Sequence, residues 1–173
     1  MSNRVGCQSF LQLTALALLL GACSGNSSPT PFDPGGNLSG AVVRDGIEYR
    51  AEVLVMESFP VQLAGRATVR NRSDRTRTVT FADGCVTLMR AYLPDGGTPV
   101  WDQGSEVGCT LALVPVELAP GEERVFPTPS ASAYEILAGG LPDGPYRITV
   151  YLRPVGGEPV EIVAGTTDLA IPR

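Results

Sequence analysis

The chain has 173 residues, 43% of them hydrophobic, and a formal net charge of −5, which suffices for one domain core with a short appendage and argues against a second. All 13 basic residues are arginine, with no lysine and no histidine. That removes Ser-His-Asp and Cys-His catalysis, histidine-containing zinc sites, Schiff-base lysines and the phosphate-cradling P-loop. The acidic balance leaves no electrostatic basis for binding nucleic acid.

The N-terminal nine residues carry one positive charge, and Phe10 to Leu20 is then apolar. A membrane span needs roughly 20 apolar residues, whereas a secretory signal has this shorter length and ends at small residues. The end here is Leu20-Gly21-Ala22-Cys23, which resembles the lipobox of bacterial lipoproteins. The resemblance implies removal of residues 1–22, acylation of Cys23 and attachment to a membrane through that residue. Ser24 in place of Asp favours the outer membrane, facing the periplasm or the cell surface. Several acyl chains hold firmly, at roughly 0.8 kcal/mol per buried methylene. Without residues 1–22 the balance is 12 Arg against 18 Asp plus Glu, a net charge of −6.

Residues 23–40 run through SGNSSPTPFDPGGNLSG, rich in Ser, Pro, Gly and Asn. Such a composition is a flexible tether, spanning roughly 20 to 25 Å. With Cys7 in the signal and Cys23 taken by lipid, the exported domain keeps Cys85 and Cys109. An even pair in an oxidising compartment is expected to form a disulfide. Two thiols alone make no metal site, and a redox pair more often reads Cys-x-x-Cys.

Residues 41–173 read as strands broken by turns. Ile47 to Glu57 is extended. Val61 to Asn71 alternates, with Val61, Leu63, Gly65, Ala67 and Val69 on one face. A turn at Asn71–Arg75 leads to Thr76–Phe81, and Val86 to Leu93 precedes the Pro94-Asp95-Gly96-Gly97 reversal. Pro99–Asp102, Thr110–Leu118 and Glu122–Thr128 follow. After an irregular stretch, Tyr146 to Arg153 alternates with Tyr146, Ile148, Val150 and Leu152 inward; Gly156-Gly157 then turns into Val160–Ala164, and Thr167–Pro172 ends the chain. The expectation is all-β: an immunoglobulin-like antiparallel β-sandwich of about 8–9 strands.

Trp101, the sole tryptophan, reads as core after Val100 on a short strand. The cluster Arg66, Arg70, Arg72, Arg75 and Arg77 reads as a solvated sheet face rather than a polyanion site. Glu122 and Glu123 are strand neighbours on opposite faces and share no site. The loop Asp102, Gln103, Gly104, Ser105, Glu106 and Val107 is the candidate for recognition, because a Cys85–Cys109 bridge would fasten its end and lower the entropy lost on binding. No catalytic, cofactor or metal site is expected.

From about Val61 to Ile171 the landmarks resemble the BsuPI-type intracellular proteinase inhibitor domain. They are Val69-x-Asn71-x-Ser73-Asp74, Phe81-x-x-Gly84, Asp95-Gly96 with Val100-Trp101, Leu118-x-Pro120-Gly121-Glu122 with Phe126, and Leu141-Pro142-x-Gly144-x-Tyr146. The resemblance implies an immunoglobulin-like sandwich and proteinase inhibition. The expected function is a lipid-anchored, non-enzymatic envelope module for protein interaction or envelope structure, with proteinase inhibition through the loop near Cys109 as the alternative.

Overall fold

Asp45 and Gly46 both take positive φ, 50° and 78°, the geometry of a two-residue reversal that matches strand twist. They join β1 (Val42–Arg44) to β2 (Ile47–Met56) in antiparallel register, Arg44 opposite Ile47. The computed structural model describes residues 40–171. The signal peptide, Cys23, the tether up to residue 39, and Pro172 lie outside the described residues.

From β2 the chain continues through β3 (Gln62–Asn71), β4 (Arg77–Phe81), β5 (Thr87–Tyr92), β6 (Trp101–Asp102), β7 (Val114–Leu118), β8 (Glu123–Pro127) and β9 (Ala131–Ser132). A five-residue helix, α1 (Ala133–Leu137), then precedes β10 (Gly144–Leu152) and β11 (Val160–Leu169). One sheet has the order β1-β2-β3-β8, with β9 on the free end of β3; the other has the order β11-β10-β5-β6; β4 and β7 form a third pair. The order β11-β10-β5-β6 opposite β2-β3-β8 is the arrangement of an immunoglobulin-like sandwich, with all pairings antiparallel.

The core follows the period of two read from the sequence. Ile47, Tyr49, Ala51 and Val53 of β2, Leu63, Ala67 and Val69 of β3, and Tyr146, Ile148, Val150 and Leu152 of β10 all point inward and are buried. At Gly65 the two sheets come so close that a Cβ would lie 2.6 Å from Val150 Cγ2. The Tyr146 hydroxyl donates back to Pro142 O at 2.6 Å. This is the tyrosine corner of immunoglobulin-like folds, and it accounts for the Leu141-Pro142-x-Gly144-x-Tyr146 landmark.

Asn71 accounts for another. It is completely buried, with 0% exposure. Its Nδ2 donates to Arg75 O at 2.8 Å and Leu118 O at 2.9 Å, while Oδ1 accepts from Ser73 N at 2.9 Å and Ser73 Oγ at 2.7 Å. Gly121 N donates to Asn71 O, so one side chain and its peptide fasten the β3–β4 turn to the β7–β8 turn.

The strands number eleven among the described residues, against the 8–9 expected. The additions are β1 and β9, each short enough to be held by its neighbour rather than by its own pattern. Thr110–Leu113 lies outside β7, and β11 runs unbroken through the two segments anticipated at the C-terminus. It does so by a bulge that falls between Ile148 and Thr149 of the facing strand.

Candidate functional site

The stretch Trp101–Cys109 is built on the β5–β6 pair, in which Ala91 opposes Trp101 and Arg90 opposes Asp102. Asp102 then acts as a hub. Its Oδ2 accepts from Arg90 Nε at 2.8 Å, and its Oδ1 accepts both Gly104 N and the Tyr151 hydroxyl at 2.9 Å. Gln103 begins a single 3-10 turn and is only 1% exposed. Its Oε1 accepts Met89 N at 3.1 Å and its Nε2 donates to Pro129 O at 2.9 Å. Glu106 N and Val107 N both donate to Gln103 O. Gly104 lies so close to β10 that a Cβ would stand 2.4 Å from the Tyr151 hydroxyl; only glycine lets the turn descend this far.

The six residues anticipated as one recognition loop therefore divide. Asp102 and Gln103 face the protein and hold the segment in place, Gly104 supplies the close approach, and Ser105, Glu106 and Val107 stand at the rim with Ser105 and Glu106 exposed. At the far end the expected disulfide is present, Cys85–Cys109, with a Cα separation of 5.4 Å. Gly84 N donates to Thr110 O at 3.0 Å beside it. Asp83 approaches both cysteines closely enough for the three to suggest a metal site. The bridge consumes both thiolates, and Asp83 pairs with Arg153 and accepts Cys85 N at 2.9 Å, so its chemistry is structural.

The second wall comes from α1, whose start is fixed by a capping box. Glu135 N donates to Ser132 Oγ at 3.2 Å, and Ser132 N donates to the Glu135 carboxylate at 2.5 Å. Two hydrogen bonds from Ser132 hold the Glu135 carboxyl below its ordinary value. Ala133 N donates to Val61 O, and Ile136 and Leu137 are buried. Between α1 and the loop lies a cleft of about 720 Å³, lined by Val100, Trp101, Gln103, Glu106, Val107 and Ile136 among others. That volume falls within the range of small-ligand and peptide pockets. Trp101 belongs to the core as expected, yet it also forms part of this lining; it is 9% exposed and its Nε1 has no hydrogen-bond partner among the described residues.

Behind the loop, the outer face of β5, β10 and β11 carries a polar network. Glu161 accepts Arg90 Nη1 at 2.8 Å, Thr149 Oγ1 at 2.7 Å and the Tyr92 hydroxyl at 2.5 Å. The Arg90 guanidinium lies 4.0 Å above the Tyr151 ring, and that of Arg147 lies 4.8 Å from the Tyr92 ring. Burial raises the Asp102 carboxyl, but Arg90, Gly104 N–H and the Tyr151 hydroxyl outweigh it and leave it below the usual range. Glu161 behaves alike: burial raises it, and Tyr92, Thr149 and Arg90 bring it below. Burial and the Asp102 charge push Tyr151 up to about 12. Thr149 and Tyr151 do point outward, as the alternation predicts, but both are buried beneath this network.

On the opposite outer face two arginines of the cluster, Arg66 and Arg72, are paired with carboxylates. Glu48, Arg70 and Glu123 stand in one cross-strand row, and Glu52 with Arg66 in another. Arg50 and Arg72 both pair with Glu48, and Arg66 pairs with Glu52. Glu122 pairs with Arg124 at 2.9 Å, leaving no paired-carboxylate geometry with Glu123. Sequence reasoning missed α1 and the Arg90–Glu161 network. The first had a readable signal in Ser132-x-x-Glu135, while the second depends on register between distant strands. No family model matches the chain, and no curated protein matches it. Among the described residues, no helix is long and apolar enough to cross a membrane.

Proposed function

We propose that the protein is a lipid-tethered, non-catalytic recognition module that binds a protein partner in the cleft between the Ser105–Val107 rim and α1. The observation that carries this reading is the construction of that cleft. One wall is held by Asp102 and Gln103 through hydrogen bonds to three separate parts of the fold, and the other by a capped helix. A wall ordered in advance loses little entropy when it is occupied. The carboxylates with lowered pKa, Glu48, Asp102, Glu122, Glu135 and Glu161, are each spent on holding structure, so none of these five is poised for acid or base work. The proposed anchor is acylated Cys23, with the domain carried on residues 24–40 at the outer membrane.

The experiment compares the full chain with Gly139→Phe in detergent-solubilised envelope. Gly139 lines the cleft, is exposed, and a Cβ there meets nothing within 4 Å, so a large side chain is accommodated without a clash at the border of the cleft, where it is meant to obstruct entry. Capture of a discrete protein by the wild type and its loss with Gly139→Phe is the expected result. Equal capture by both contradicts the reading.

A second reading, proteinase inhibition, is favoured by one observation. Directly after bridged Cys109, residues Thr110–Leu113 are exposed, and Leu111 is 97% exposed. A fastened, protruding apolar side chain suits a protease cleft. Stoichiometric inhibition that disappears in Leu111→Glu, at an exposed position, supports it, and inertness against a broad protease panel defeats it.

A further inference from the structure

The geometry points to a cationic partner: the cleft takes a peptide segment that places an arginine or lysine beside an apolar side chain. This rests on the cleft being the binding face and specifies what fills it. Among the described residues three carboxylates border the space, Asp102, Glu106 and Glu135, and no arginine does. Asp102 is neutralised by Arg90, and Glu135 is committed to Ser132. Glu106 is exposed at the rim, and its carboxylate makes no ion pair or hydrogen bond among the described residues. A ligand cation would thus meet one uncompensated charge at the entrance, with a second carboxylate nearby.

The interior is of a different character. Trp101, Val100, Val107 and Ile136 supply the apolar part of its lining, beside Gln103, Ser105 and Ser130, and this part suits the stem of a long basic side chain or its aliphatic neighbour. The chain's own tether does not meet these requirements. Between Ser24 and Gly40 it has no basic residue and contains Asp33, so it would bring a like charge to Glu106.

The sole tryptophan reports directly on occupancy. The full chain in detergent is titrated with the blocked peptide acetyl-Ala-Leu-Arg-Leu-Ala-amide, and separately with its counterpart bearing Glu in place of Arg, while Trp101 fluorescence is followed. The inference expects a saturable change with the basic peptide at a Kd of roughly 10 μM to 1 mM, typical of a short flexible ligand. It expects no saturation with the acidic one. Glu106→Gln, at an exposed position, should weaken the basic peptide roughly three- to fivefold, and added salt should do the same. Gly139→Phe should abolish the response. Absence of saturation at about 2 mM, equal responses to the two peptides, or an unchanged Kd in Glu106→Gln each overturns the inference. Should partner capture remain sensitive to Gly139→Phe while the basic peptide fails, the cleft stands as the binding face and only the cationic chemistry falls.

Discussion

The Tyr151 hydroxyl donates to Asp102 Oδ1 at 2.9 Å, fastening the start of the 102–107 segment to the C-terminal end of β10. The same oxygen accepts Gly104 N at 2.9 Å. One carboxylate oxygen therefore sets both the position of the turn and its curvature, while Arg90 holds the other oxygen. The rim residues inherit their placement from this arrangement and contribute little to it.

Tyr151→Phe removes the hydroxyl while keeping the ring beneath Arg90. Loss of one hydrogen bond to a charged acceptor should cost about 1.5 to 3 kcal/mol, read as a lower urea midpoint with an unchanged slope. An unchanged midpoint would mean that Asp102 is held without Tyr151.

Gly104→Ala places a Cβ 2.4 Å from the Tyr151 hydroxyl, and overpacking of this kind costs about 1 to 3 kcal/mol. The two substitutions should not add. In the double variant the alanine enters the space that the hydroxyl left, so part of the cost is recovered, a coupling of about 0.5 to 2 kcal/mol in a double-mutant cycle. Strict additivity would contradict the contact.

Asn71→Ala removes the side-chain donor to Leu118 O in a buried site and one of the two side-chain donors to Arg75 O, and it removes the acceptor of Ser73. The expected loss is about 2 to 4 kcal/mol by denaturant unfolding, as for a buried network deprived of its centre. A loss under about 1 kcal/mol would show that the two turns are held by their backbone bonds alone.

The pH dependence follows from the carboxylates held below their ordinary values, Glu48, Asp102 and Glu161 among them. Their stabilisation is fully present above the unfolded values near 4 and is lost as pH falls through the lower folded values. Stability should be flat from about pH 6 to 8 and drop steeply below about pH 4. Tyr151 acts at the other end. Its folded pKa of about 12 exceeds the ordinary value of 10.0, so its contribution is complete below pH 10 and lost as pH rises through that interval. Acid unfolding of Asp102→Asn should be shallower than that of the wild type.

How far these features could be read from residue order differs by element. The inward faces of β3 and β10 were legible because an alternation of eight or ten residues leaves one register that buries Leu63, Val69, Ile148 and Leu152 together. The Asp45-Gly46 reversal and the Ser132-x-x-Glu135 box carry readable signatures, but the elements they bound are three and five residues long, too short for periodicity to point at them. The Arg90 network was out of reach for another reason. Arg90 and Glu161 are 71 residues apart, and meet only because β5 and β11 flank β10 in a particular register. The division within the 102–107 segment was hidden likewise, since the burial of Gln103 depends on Met89 and Pro129.

The proposed place for a partner is the preformed space between the Ser105–Val107 rim and α1. A photo-crosslinking amino acid placed at Val107, with a control at Thr68 on the outer face of the opposite sheet, tests it in the intact envelope. The expected result is a discrete adduct from Val107 that is absent from Thr68 and is lost in Gly139→Phe. Adducts from Thr68 alone, or from Val107 with Gly139→Phe unchanged, would contradict it.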